Sequence, residues 1–187
     1  MIITHHREKL INAIIYFARH TKKCGKTKLM KLLYFLDFMH FKQTGRSVTG
    51  LDYFAWKMGP VPRALFEEIS GDMGSDLKAA ITIRPIDDFQ QIVAKKRFEG
   101  KHFTSREKKL LEHIAYVFKE ADAKLMTEAS HLRKEPWDKT KREKGMRAKI
   151  DYMLALDDDD ESLSVEDAEE IKQEVDTMHH LFGTTDA

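Results

Sequence analysis

The chain has 187 residues, of which 42% are hydrophobic and 34% charged, and its formal net charge is +1. One domain of this size buries roughly two-thirds of its unfolded surface and needs no staple; the single cysteine, Cys24, excludes an intrachain disulfide and any cysteine-built zinc cluster. The opening MIITHHREKL lacks a secretory pattern, and no apolar run approaches the roughly 20 residues that span a bilayer, so a cytoplasmic protein is expected, with no membrane partner.

Residues 4–20 read as a helix capped by Thr4, with Leu10, Ile11, Ile14, Ile15, Phe17 and Ala18 at helical spacing. The basic connector TKKCGKTK follows. Residues 27–43 read as a second helix, capped by Thr27 and stopped at Gly45. Leu29, Leu32, Leu33 and Leu36 form one stripe, and Met30, Phe35, Phe38 and Phe41 widen it almost all round. Such a helix belongs at the centre of a core. The aromatic run 51–58, LDYFAWKM, reads as a strand that Gly59-Pro60 breaks. Pro62 sits where a helix begins, and residues 63–70 form a short helix followed by a loop, GDMGSD. ITIR and QQIVAKKRF read as two strands around a turn at 85–88.

Thr104 with Glu107 makes a capping box for a helix reaching about residue 120. A further helix over 122–133 stops before Pro136, and DYMLALD allows one last helical turn. The acidic run DDDDES then breaks the composition, and Ser164 with Asp167 caps a terminal acidic helix. The expected architecture is α+β and predominantly α-helical: a helical core, a small antiparallel sheet and a C-terminal acidic helix. Residues 1–156 form the domain; residues 157–187 are linker and helix, and the helix's apolar stripe suits docking on its own domain, on a partner or in a homodimer.

Charge is segregated along the chain. Residues 1–49 carry ten Lys/Arg against two acids, and residues 157–176 eleven acids against one base. The basic clusters bounded by Lys22 and Lys31, and by Arg133 and Lys149, raise nucleic-acid binding as an alternative function. Helix-surface lysines more often mark only a solvated face.

The search for chemistry is otherwise empty. Asp37 and His40, three apart on a helix, could form an acid–base pair or a polar pair inside a crowded interface. The pairs His5-His6 and His179-His180 splay apart on a helix and read as exposed polar residues. Lysines around Cys24 could lower its pKa. No phosphate-cradling, dinucleotide-binding or serine-hydrolase motif is present. No catalytic residue, metal site or cofactor is expected.

The stretch KLMKLLYFLDFMHFKQTGRSVTGLDYFAWKMGPVPRALFEEI, residues 28–69, resembles the Panacea domain, the SocA-like antitoxin family. The helical part is matched by Lys28, Lys31, Tyr34, Asp37 and His40, and the strand and turn by Trp56, Gly59, Pro60 and Val61. Further on, Ser130, His131 and Trp137 fit a SHxxxPW segment; Met58 departs from a common tyrosine. The resemblance covers roughly residues 8–156 and implies a phage-associated antitoxin that binds a protein toxin encoded by a neighbouring gene, in some members delivering it to a protease. It implies no enzymatic activity. Leu29, Leu32, Leu33, Leu36, Trp56 and Trp137 read as core. Tyr53, Phe54, Met58 and Arg63, around the strand and its turn, are the expected partner contacts.

Overall fold

The computed structural model describes residues 2–86, 88–132, 135–159 and 162–185. Arg133 and Lys134 of the second basic cluster, and residues 160–161 of the acidic linker, therefore lie outside the described residues. Eight α-helices and three two-stranded ladders are described, in the order β1 (Ile2–Ile3), α1 (His6–His20), α2 (Lys26–Thr44), β2 (Tyr53–Trp56), β3 (Gly59–Pro62), α3 (Arg63–Ser70), α4 (Ser75–Ala80), β4 (Ile81–Ile86), β5 (Phe89–Ala94), α5 (Ser105–Val117), α6 (Ala123–Ser130), α7 (Pro136–Lys144), a 3-10 turn (Tyr152–Ala155), α8 (Val165–Phe182) and β6 (Thr184–Thr185). This is the helix-dominated α+β fold expected.

Helix α2 is the axis of the molecule. Leu29, Met30, Leu32, Leu33, Tyr34, Leu36 and Phe38 are all buried in one core with residues of α1, α5 and both hairpins. Its apolar circumference forces this, since no face is left that water would solvate well. Gly45 closes the helix at φ +68 and donates its N–H to Phe41 O, an αL stop that a side chain would strain. At the other end Gly25, not Thr27, is the N-cap, and for α1 the N-cap is His5, not Thr4.

The break expected at Gly59-Pro60 is instead a second strand. β2 and β3 form a tight antiparallel hairpin with Trp56 opposite Gly59, Ala55 opposite Pro60, Phe54 opposite Val61 and Tyr53 opposite Pro62. Both prolines fall at alternate register positions, so neither missing N–H is needed by the ladder, and β3 is an edge. The inner edge of β2 is occupied: Ala55 N–H donates to Ala148 O, and Arg147 and Ile150 donate to Ala55 and Tyr53 carbonyls. GDMGSD also yields structure, since its last residues open α4. β4 and β5 pair as expected. The capping box at Thr104 forms in full, and α5 ends at Val117, earlier than expected.

The acidic linker is anchored. Lys42 pairs with Asp157 at 2.7 Å and Asp159 at 3.3 Å, and Leu163 N–H donates to Lys42 O. A small second core of Phe41, Leu156 and Ala168 continues this contact. Beyond it α8 leaves Met178, Leu181 and Phe182 exposed.

Candidate functional site

Two polar clusters are built into the buried faces of α2, and both are made of residues from the sequence motif. The first is centred on Asp37, which is fully buried. Val48 and Thr49 N–H donate to Oδ1, each at 2.8 Å; Thr49 and Tyr53 hydroxyls donate to Oδ2 at 2.5 and 2.7 Å. Burial pushes the carboxyl's pKa up while the donors pull it down, and burial dominates. The arrangement pins the loop after α2 and the start of β2 to the central helix. Tyr53 belongs to this clamp: its ring is wholly buried. That corrects its expected place as a partner contact, because a hydroxyl with a buried acceptor draws its ring inward.

His40 stands apart from Asp37. Its Nδ1 lies 2.7 Å from Arg46 O, which only accepts, so Nδ1 carries the proton. Burial lowers its pKa. Among the described residues no hydrogen bond joins Asp37 to His40. The acid–base reading therefore yields to the structural one.

The second cluster lies beneath the hairpin. Lys31 is buried, its Nζ donates to Pro60 O at 3.0 Å, and among the described residues it has no carboxylate partner. Desolvation lowers its pKa from 10.5 to about 7. His131 stacks on Trp137 with ring centroids 3.7 Å apart and an interplanar angle of 7°. Trp137 Nε1 donates to Trp56 O at 3.0 Å, and Lys141 sits over the indole at 5.0 Å. Among the described residues, Nε2 of His131 is buried without a hydrogen-bond partner. The reason for Gly59 is here: a Cβ would lie 2.7 Å from Lys31 Nζ and 2.9 Å from His131 Nε2, at φ +104. Lysine, histidine and glycine from three distant segments thus meet at one point, with Trp137 as lid. Burial first, then Lys31 and Lys141, lower the pKa of His131.

The other expectations resolve as follows. Ser130 is buried and bonds Thr127 O. Val61 is buried in β3, Trp56 is half-buried against Phe66, and Phe54 is half-buried. Met58 and Arg63 are exposed. Cys24 is fully buried and its thiol is pushed up to about 11, so burial outweighs the neighbouring lysines and the thiol is not activated.

Lys28 and Lys31 of the first basic cluster are spent internally, while other members form exposed ion pairs. Lys28 is buried and donates to Lys22, Lys119 and Ala121 carbonyls, tying two loops together. Lys22 pairs with Glu120, Arg142 with Asp138, Lys149 with Asp52, and Lys139 donates to Leu154 O. A groove of about 350 Å³ beside Phe41 and Tyr152 mixes Lys144, Lys149 and Lys172 with Asp52 and Asp151. Another of about 410 Å³ mixes Lys23 and Lys26 with Asp88 and Asp122. Neither is a uniformly basic track for a phosphate backbone. Among the described residues no helix is long and apolar enough to cross a membrane.

The fold and these clusters define a helical domain whose signature residues hold a hairpin against a central helix. The family model for the antitoxin SocA-like Panacea domain matches residues 29–138, more than half of the chain, and the chain belongs to that family. Neither the curated proteins nor the solved structures contain a match.

Proposed function

We propose that this chain neutralises a protein toxin encoded by a neighbouring gene through direct binding, on the face around the β2–β3 hairpin. Family membership is the observation that carries this reading, since the family is one of antitoxins. The choice of face rests on exposure. Met58, at the hairpin tip, is 59% exposed, Leu132 beside His131 is 58% exposed, and Met146 beside the other edge of β2 is 44% exposed. Arg63 begins α3 directly after β3. Methionine and arginine suit a contact that must adapt and then desolvate. A stable complex buries about 1,200–2,000 Å² in total, so the contact must extend beyond the hairpin tip.

The test is co-expression with the adjacent gene product. Rescue of growth with a stoichiometric complex supports neutralisation by binding, and Met58→Asp with Arg63→Glu in a folded protein should abolish both. Rescue that depends on a cellular protease, with the toxin lost and not held, assigns a proteolytic adaptor instead. Rescue unaffected by the double variant moves the contact to another face.

A further inference from the structure

We infer that His5, Glu8 and His102 form a binding site for one zinc-class divalent transition-metal ion, fastening the start of α1 to the loop before α5. One ligand atom from each of the three residues lies within 4.8 Å of the other two, and all three residues are half-buried. The His5 and His102 rings lie against each other, 4.2 Å between centroids at 29°. His5 Nδ1 approaches Glu8 Oε1 at 3.5 Å, the only polar contact between the three side chains.

One feature is unexplained without a ligand: among the described residues, Glu8 Oε2 is buried with no hydrogen-bond partner. The cations flanking it in sequence do not answer it, because Arg7 is held by Glu68 at 2.7 Å and Asp76 at 2.8 Å, and Lys9 by Glu107 at 2.7 Å. A buried carboxylate oxygen left bare is costly, and a cation removes that cost. His5, the N-cap of α1, holds φ +54, a left-handed conformation that histidine adopts more readily than most residues with a side chain. In that conformation its ring is turned toward Glu8 and His102.

The donor set decides the ion. Two imidazole nitrogens and one carboxylate suit zinc, with water completing a tetrahedron; magnesium and calcium prefer oxygen throughout. Stacked imidazoles hold their in-plane lone pairs side by side, so ligation requires the rings to turn out of the stack; His5 is the N-cap of α1 and His102 lies in the turn before α5, so neither ring is confined within an element. The adjacency of His5 and His6 hides this site in the sequence. Only His5 takes part, and its partners are one helical turn on and in a remote loop.

The experiment uses the untagged full-length chain. Calorimetric titration with Zn²⁺ should show one tight site, with none for Mg²⁺, and Co²⁺ should develop the intense visible bands of a four- or five-coordinate ion. His102→Ala and Glu8→Gln should each weaken Zn²⁺ binding by about tenfold to a hundredfold or more. His179→Ala with His180→Ala should leave it unchanged. Should a variant misfold, Co²⁺ broadening of histidine resonances in the wild-type chain reads the same site, and must centre on His5 and His102. Absence of Zn²⁺ binding by the wild type, undiminished binding in both variants, or broadening centred elsewhere overturns the inference.

Discussion

Lys31→Met should make the protein more stable at neutral pH. The lysine is buried beneath the hairpin with a single carbonyl partner, and its pKa falls from 10.5 to about 7. At about 1.4 kcal/mol per pH unit, that depression corresponds to roughly 4–5 kcal/mol of folding free energy forgone once the amine is fully charged. The sign follows from linkage. Between about pH 7 and the unfolded value the unfolded chain binds more protons than the native one, so the lysine's penalty is full below pH 7 and fades as pH rises. Methionine keeps the length and packing of the stem, yet leaves Pro60 O without its donor, a loss of about 1–3 kcal/mol. The net gain at pH 7 is therefore about 1–4 kcal/mol. By pH 9 the advantage should shrink by roughly 2 kcal/mol, as the wild-type amine neutralises. Urea denaturation of both proteins at matched pH values measures this. The difference between the two is the quantity to read, because Tyr34, Tyr53 and Tyr152, all held above the usual tyrosine range by burial, contribute equally to each. A variant less stable than wild type by the same amount at every pH would refute the reasoning, and would mean that the amine is satisfied where it lies.

Leu33→Ala, a truncation at a fully buried point of α2, should cost about 2–5 kcal/mol in the same assay, and a loss under about 0.5 kcal/mol would displace α2 from the centre of the core. Asp37→Ala strips two backbone N–H groups and two hydroxyls of their acceptor and should cost at least about 3 kcal/mol, with Asp37→Asn little better because its amide offers donors to donors. Removal of residues 157–187 unpairs β1 from β6, frees Lys42 from Asp157 and Asp159 and uncovers Phe41, Leu156 and Gly45, all outside the main core, so the remaining chain should stay soluble and unfold cooperatively; a molten product by near-ultraviolet dichroism would make α8 integral to the domain.

The central helix was readable because periodicity reports burial directly, and α2 is apolar on nearly every side. The capping box at Thr104 and the N-cap at Ser164 were readable for the same local reason, since cap and helix lie within four residues, though Asp167 does not return the bond that would close a second box. What escaped was every feature fixed by a partner far along the chain. Pro60 and Pro62 argue against a strand until it is known that β3 is an edge and that β2 finds its second partner at residues 147–150. Lys28 and Lys31 look like a solvated basic face, yet both point inward, one to three carbonyls and the other to the hairpin. Tyr53 looks like an exposed aromatic anchor until Asp37 is seen behind it.

These misreadings share a cause that bears on the family signature itself. Its charged and polar members are mostly buried, and several hold long-range junctions, while His40 and Ser130 bond locally: Lys28 joins two interhelical loops, Asp37 pins the entry to β2, and Lys31, Gly59, His131 and Trp137 lock the hairpin from below. At Lys31 an apolar residue would make the core as stable or more so, and by hypothesis would not fix the hairpin in one register against one helix. The signature's buried members therefore specify the placement of β2 and β3, and that placement presents the exposed Met58 and Arg63. On this argument the Lys31→Met protein, though more stable, should hold the hairpin less uniquely. Amide exchange at Trp56 and Val61 should quicken relative to exchange at Leu32 and Leu33 of the helix beneath, while unchanged ratios would deny the buried lysine any role in fixing the hairpin.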